Sequence, residues 1–190
     1  MPSFDETSDE ALMSAYARAD DDAFVVLLRR YGPRLLAYFV RSFRDRTVAE
    51  DLYQTTILKL HGARASYREG AAFRPWLFGI AVRVRADELR RRYRDASEPD
   101  MATRAGMFPK PASTPEESER ASRVRNAIAE LPESQREVVV LHRYAGLTFA
   151  EIAELLRARG EPALEGAIRA RAFRAYQSLR SVLLDLEEAS

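Results

Sequence analysis

A chain of 190 residues allows one domain or two small ones, and 46% hydrophobic residues are enough to build a packed core. The absence of cysteine excludes disulfides and thiolate metal sites, and no apolar run is long enough to span a membrane, so we expect a soluble, unprocessed, cytoplasmic protein. The net charge is +1, but the charged residues are unevenly distributed along the chain. Residues 1–22 hold seven acids and one arginine, whereas residues 64–94 hold nine arginines and three acids. This asymmetry indicates a face that meets a polyanion.

The first half of the chain has apolar residues at helical spacing throughout residues 11–93, which predicts a run of helices. Gly32-Pro33 is expected to bend or break the second helix. Thr47 and Glu50 have the spacing of a capping box and are expected to begin the third.

A linker is predicted at residues 95–119, which contain four of the nine prolines and little periodicity. Helical spacing then returns, and Thr148 with Glu151 forms a second capping-box pattern. No β-hairpin signal occurs. We therefore predict an all-α chain of two small helical domains, residues 1–94 and 120–190, joined by a flexible linker, with a helix-turn-helix in the second domain.

The last helix is basic and amphipathic. Its arginines at 169, 174 and 180 lie off the apolar face, with Arg171 at the flank. The apolar face comprises Leu164, Ile168, Ala172, Ala175, Leu179, Val182 and Leu186. A helix, a turn and such a helix are the parts of a helix-turn-helix, whose arginines contact phosphates and base edges. The same pattern also fits a solvated face on an ordinary helical hairpin.

Residues 66–94 interleave aromatic residues with arginines, as in surfaces that hold single-stranded nucleic acid. Core packing is the favoured role for Trp76. The adjacent Arg90, Arg91 and Arg92 cover nearly the whole circumference of a helix, so at least one should contact phosphate if DNA is bound.

Four segments in this order resemble bacterial sigma factors of the extracytoplasmic-function group. They are "DEALMSAYARADDDAFVVLLRRY", "AEDLYQTTILKL", "AFRPWLFGIA…DELRRR" and "ELPESQREVVVLHRYAGLTFAEIAELL". The resemblance covers nearly the whole chain. It implies two helical domains on a flexible linker, with RNA polymerase core (clamp helices and flap), promoter DNA and an anti-sigma factor as partners. The first domain would read and melt the minus-ten element, and the second would read the minus-thirty-five element.

The helix "AEDLYQTTILKL" resembles the one that docks on the polymerase clamp helices. Asp51 and Gln54 match the polar positions of the family, and Leu52 would face inward within the same core-binding set. Thr55 stands where the family usually has an acid, so the affinity for the clamp is expected to differ. An ordinary capped helix with solvated polar residues would look alike.

The loop "ASYREGAAF" resembles the one that accepts a flipped base of the non-template strand, a step that costs a few kcal/mol and needs a compensating pocket. The family commonly has Arg-Asn where this chain has Val82-Arg83, which puts the minus-ten sequence read here in question. The DNA-contacting residues implied for this domain are Tyr67, Arg68, Arg74, Trp76, Arg83, Arg90 and Arg91.

The turn of the helix-turn-helix is longer than in the family, where about three residues are usual. Here eight residues separate Leu156 from Glu165, an excess of five. Residues 157–159 can extend the first helix, Gly160 can supply a left-handed cap, and Pro162 can occupy the first position of the next helix. In that next helix we expect Arg169 and Arg171 to contact DNA, and Arg174 to contact phosphate.

The leading hypothesis is a promoter-specificity subunit with no catalytic chemistry, no cofactor, no metal and no small-molecule substrate. No nucleophile–base pair, phosphate loop or metal cluster is visible in the sequence. A decoy or adaptor that binds polymerase or an anti-sigma factor without reading promoters is the alternative. A plain DNA-binding repressor, which would not need the polymerase-docking helix, is the third.

Overall fold

The computed structural model describes residues 7–43, 45–95 and 115–188, with the helical backbone alone given for residues 115–121 and 181–188. The described residues form helices and no strand, which confirms the all-α prediction. In chain order the helices are α1 (Asp9–Ala17), α2 (Asp21–Phe43), α3 (Arg46–Ala63), α4 (Phe73–Asp95), α5 (Pro115–Glu130), α6 (Glu133–Arg143), α7 (Phe149–Ala158) and α8 (Glu165–Glu188), with a 3-10 turn at Arg64–Ser66. The chain divides into two compact units, one built on α1 to α4 and the other on α5 to α8.

The first unit has aromatic rings from α2 and α4 meeting edge to face in its core. The ring centroids of Tyr31 and Phe73 lie 5.3 Å apart, and those of Tyr38 and Phe78 lie 6.0 Å apart. Phe73, Tyr38 and Phe78 are almost completely buried. Such pairs add specific geometry to the burial of large apolar surfaces, so this core fixes α4 in place.

The helix limits test two local predictions in the first unit. Gly32-Pro33 does not break the second helix, since α2 runs as one helix past Pro33, and the alternative of a bend stays a prediction. Proline removes one backbone hydrogen bond, but buried residues on both sides of it hold the two halves in one core. Thr47 does not precede the third helix as a cap, because α3 begins one residue earlier, at Arg46. The Glu50 carboxylate accepts from the Arg46 guanidinium at 2.9 Å.

The second unit is centred on α6, in which five consecutive residues from Glu137 to Leu141 are buried. The capping box at the start of α7 is confirmed. The Thr148 hydroxyl accepts from the Glu151 N–H at 3.2 Å, and the Glu151 carboxylate accepts from the Thr148 N–H at 2.7 Å. These bonds satisfy two of the N–H groups that a helix start leaves unpaired, and so fix where α7 begins.

The predicted linker is shorter than expected at its C-terminal end, because α5 begins at Pro115. Proline suits the first helical position, where its missing N–H would have had no partner. Residues 96–114, the rest of the predicted linker, lie outside the described residues, so the domain limits of 1–94 and 120–190 stay predictions. None of the helices in the described ranges is both long and apolar enough to cross a membrane.

The connection between α7 and α8 departs from the sequence prediction. Gly160 has a φ of +89°, the left-handed conformation expected of it. Pro162, however, does not begin the last helix, which starts at Glu165. The Glu161 N–H bonds back to the Leu156 carbonyl at 3.1 Å, and residues 161–164 then run without helical structure. We call residues 159–164 the long turn.

The inward face of α8 is one residue shorter than predicted. Leu164 precedes the helix and is 76% exposed, and Ala163 is buried instead. The Leu164 carbonyl accepts the first helical hydrogen bond, from the Ile168 N–H at 3.1 Å. Ile168 and the predicted inward residues up to Leu179 are buried, whereas the side chains at 182 and 186 lie outside the described set.

One residue of the first unit is strained. Ala19, between α1 and α2, has a φ of 71°, a conformation that costs an L-residue about 1–2 kcal/mol. Ala19→Gly should therefore raise the free energy of unfolding by roughly 0.5–1 kcal/mol, after allowance for the greater entropy of glycine in the unfolded chain. Urea unfolding followed by circular dichroism measures the change. Ala11→Gly, inside α1, is the matched control and should destabilise; equal effects of the two substitutions would contradict the strain.

Candidate polymerase and nucleic-acid interfaces

The face of α3 that carries the predicted polymerase-docking residues is open to solvent. Asp51 and Gln54 are both exposed and lie one helical turn apart. The Thr55 hydroxyl donates to the Asp51 carbonyl at 2.8 Å, so this side chain is turned back on its own helix. The exposed side chains of Asp51 and Gln54, held by a helix, are suited to recognition by another protein.

Leu52 and Leu58 differ in solvent exposure, and the sequence prediction did not include Leu58. Leu52, predicted in the core-binding set, is only 8% exposed, so it supports α3 from the inner side and cannot itself reach a partner. Leu58 was not predicted, yet it is 72% exposed. It follows Asp51 by seven residues, two helical turns, and therefore lies on the same face. The seven-residue spacing from Asp51 could have placed Leu58 on this face from the sequence alone.

The aromatic residues near loop 67–72 pack against one another. The Tyr67 ring lies edge-on to Trp76 with centroids 5.1 Å apart, and the Tyr67 hydroxyl donates to the Ala71 carbonyl. Burial raises the pKa of Tyr67. Tyr67, predicted to contact DNA, is thus held inside the unit, and Trp76 is half-buried beside Phe73, as expected for core packing.

The start of α4 is held by an acid from α1. The Glu10 carboxylate accepts from the Phe73 N–H at 3.2 Å and so caps α4 next to loop 67–72. Asp9 accepts from the Arg30 guanidinium at 2.7 Å and from the Tyr31 hydroxyl. Part of the acidic N-terminal charge is therefore used for internal structure. The sequence analysis missed these roles because neither pair is local.

Three adjacent arginines near the end of α4 are paired with acids one turn away. Arg90 donates to Asp87 at 2.6 Å, and this hydrogen bond holds the pKa of Asp87 below its usual range. Arg91 grips both carboxylate oxygens of Glu88 at 2.8 and 2.9 Å, while Arg92 donates to the same carboxylate at 2.7 Å. Burial raises the pKa of Glu88, but these hydrogen bonds outweigh burial and lower it.

The other predicted DNA contacts of the first unit have unequal access. Arg68 in loop 67–72 and Arg83 on α4 are exposed, whereas Arg74 is half-buried. Arg83, Asp87 and Arg90 follow one another at spacings of four and three residues, so they form one exposed stripe along α4. The structure therefore brings Arg83 and Arg90 together and leaves Arg68 and Arg74 near the start of that helix.

The arginines of α8 are presented on its outer face. Arg169 and Arg174 are exposed and Arg171 is half-buried. The Arg169 guanidinium donates to the Glu165 carboxylate at 2.6 and 2.9 Å, and it lies 5.6 Å from the centroid of the Phe149 ring. Arg169 is thus oriented by two neighbours within the helix-turn-helix before any ligand arrives.

A shallow hollow beside these arginines includes an aromatic residue that the sequence prediction omitted. Phe173 is 64% exposed on α8, between Arg169 and Arg174 along the helix. An exposed phenylalanine within a cationic face can contact thymine methyl groups in a major groove. Its position one turn after Arg169 was the sequence signal.

The two units fit the two halves of a transcription factor, and comparison with known proteins agrees. Residues 27–95 match the family model for sigma-70 region 2, and residues 121–179 match the model for sigma-70 region 4. The chain belongs to the extracytoplasmic-function (ECF) group of the sigma-70 family of bacterial RNA polymerase sigma factors.

Relatives align along almost the whole chain. RNA polymerase sigma factor CarQ of Myxococcus xanthus is 37% identical, covering 92% of this chain and 97% of its own. ECF RNA polymerase sigma factor SigM of Mycobacterium tuberculosis is 31% identical, covering 94% and 86% respectively.

Solved structures give the same picture. The sigma factor RpoE of Bartonella quintana, solved in complex with the anti-sigma factor NepR, has a TM-score of 0.70 and 25% identity, over 84% of this chain and 96% of its own. CnrH, solved with the cytosolic domain of CnrY, has a TM-score of 0.67 and 27% identity, over 93% and 97%.

The Glu165–Arg169 pair generates a prediction about DNA affinity. Glu165→Gln should raise the affinity for duplex DNA by about threefold, because it releases Arg169 and removes a negative charge that repels phosphate. Fluorescence anisotropy with a labelled duplex measures the change. Glu130→Gln, at an exposed position on α5, makes the same charge change away from α8 and should have little effect. A lower affinity of Glu165→Gln would instead assign Glu165 a base contact, since carboxylates accept from cytosine N4.

Proposed function

We propose that this protein is a promoter-specificity subunit that binds RNA polymerase core and directs transcription initiation at particular promoters. The observation that carries the proposal is that each matched region presents some of its predicted contact residues to solvent. Asp51 and Gln54 are exposed on α3, within the region 2 match, and Arg169 and Arg174 are exposed on α8, within the region 4 match.

Each surface is proposed to have its own partner. The exposed face of α3 would dock on the clamp helices of the polymerase, with Leu58 adding apolar contact area. The stripe of Arg83 and Arg90 on α4 would contact the minus-ten region, and the helix-turn-helix would read the minus-thirty-five element. Further contacts with the polymerase flap and an anti-sigma factor follow from the family. The protein would act in the cytoplasm without a catalytic site of its own.

Run-off transcription tests the proposal as a whole. The full chain is mixed with bacterial RNA polymerase core and a genomic promoter library, and we expect transcripts from a small set of promoters that core alone does not produce. Binding to core without initiation would support a decoy or adaptor instead. Duplex binding without core binding would indicate a repressor.

Charge reversal on α3 tests the docking surface. Asp51→Arg should abolish binding to the core, because it opposes the charge at an exposed contact, and should leave the fold intact. Size-exclusion chromatography with core measures binding, and circular dichroism checks the fold. Asp22→Arg, exposed on α2, is the matched control and should bind normally. Normal binding by Asp51→Arg would remove α3 from the interface.

Truncation of one arginine tests the helix-turn-helix. Arg169→Ala should lower the affinity for a minus-thirty-five duplex by more than about twofold, the effect of losing one base or phosphate contact. The duplex is taken from a promoter found by run-off transcription, and anisotropy measures binding. Arg125→Ala, exposed on α5, removes the same charge and should bind as wild type. Equal affinities for the two variants would refute the assignment.

A further inference from the structure

We propose that the ion pair between Arg159 and Glu137 sets the position of α8, and hence the DNA sequence that the helix-turn-helix reads. We call this pair the turn clasp. The inference rests on the proposed function, because it concerns how the minus-thirty-five surface is held. Arg159 and Glu137 are positioning residues in this proposal, and neither needs to contact DNA.

The turn clasp joins three parts of the second unit through one guanidinium. The two terminal nitrogens of Arg159, at the end of α7, donate to the two carboxylate oxygens of Glu137 on α6 at 2.8 and 2.9 Å. One of those nitrogens also donates to the carboxylate of Glu161, within the long turn. A bidentate arginine–carboxylate pair fixes direction as well as distance, so the clasp holds the beginning of the long turn against α6.

Burial makes the turn clasp unlike the other ion pairs near α8. The side chain of Glu137 is 6% exposed and that of Arg159 is 20% exposed, whereas Arg169 and Glu165 are 64% and 44% exposed. An exposed pair contributes little to structure, but a buried charge strongly requires its partner. The clasp is therefore a constraint on where the turn can lie.

Two backbone hydrogen bonds fix the beginning of the long turn next to the clasp. The Gly160 N–H donates to the Arg157 carbonyl at 2.9 Å, and the Glu161 N–H donates to the Leu156 carbonyl at 3.1 Å. Ala163 is then buried, two residues before α8 begins. The turn is thus held at both ends, at its beginning by the clasp and near its end by Ala163. Without the clasp, the side chain that ties the turn to α6 is lost, and the start of α8 can shift together with its DNA-facing arginines.

Replacement of both partners separates positioning from stability. Glu137→Met/Arg159→Met removes the charges together, which leaves no unpaired buried charge and so should preserve the fold. Glu133→Met/Arg136→Met removes another ion pair of α6, the one between Arg136 and Glu133, and is the matched control. The full chain of each is assembled with polymerase core. The probes are a promoter that the wild-type protein selects from a pool randomised at the minus-thirty-five element, and the same promoter with that element shuffled.

The ratio of transcript from the intact promoter to transcript from the shuffled one is the readout, taken well below the melting temperature of every variant. We expect the clasp variant to lose at least about fivefold in this ratio, with an unchanged salt dependence, because the phosphate contacts remain while base contacts are misplaced. The control should keep the wild-type ratio. A wild-type ratio in the folded clasp variant would overturn the inference, and so would an equal loss in the control.

Two further arms keep the outcomes distinct. If the double variant does not fold, Arg159→Lys keeps the charge but lacks the planar fork, and should lower the ratio by about twofold; an unchanged ratio would overturn the inference. If the wild-type protein itself does not distinguish the intact promoter from the shuffled one, the proposed minus-thirty-five reading fails, whatever the clasp does.

Discussion

Nearby carboxylates hold several of the arginines that this protein would offer to DNA, and this arrangement occurs on both candidate DNA surfaces. On α4, Asp87 forms an ion pair with Arg90, and Glu88 forms ion pairs with the next two arginines, at 91 and 92. On α8, Glu165 forms an ion pair with Arg169. A dense cationic helix repels itself, so an acid one turn away offsets part of that cost. The exposed pairs, Arg90 with Asp87 and Arg169 with Glu165, contribute only a few tenths of a kcal/mol, and a phosphate can therefore replace the carboxylate easily. Glu88 is buried, so it holds Arg91 and Arg92 more firmly. The fold therefore orients these arginines, and those in the exposed pairs remain able to bind a phosphate.

The same pairs explain why a net charge of +1 is compatible with binding a polyanion. The acids are not spread evenly over the surface. Some lie beside the arginines, and others, such as Asp9 and Glu10, bond to groups within the first unit. Local charge at each surface is therefore set by which carboxylates are engaged, and the overall balance is a poor guide to it.

Local interactions account for most of what the sequence revealed. Helical spacing gave the all-α class, and the capping box at Thr148 is present because it needs only residues within one turn of each other. Tyr67 is buried, which the sequence did not indicate because aromatic residues among arginines suit either a base-stacking surface or a core. Glu10 and Phe73 are 63 residues apart, and Arg159 and Glu137 are 22 apart, so no periodicity could have paired them. Pro162 suits a helix start locally, yet α8 begins only at Glu165, after Ala163 is buried, and such a tertiary contact is not visible in local preferences.

The bond from Glu10 to the Phe73 N–H links α1 to the start of α4, beside loop 67–72. A contact between residues so distant in sequence closes a long loop, which costs entropy that the packing of the intervening helices must offset. During synthesis, Phe73 must be made before this cap can form. Loop 67–72 is thus completed only when the whole unit is present, and a fragment that lacked α1 would carry the loop's residues without the cap that holds its end.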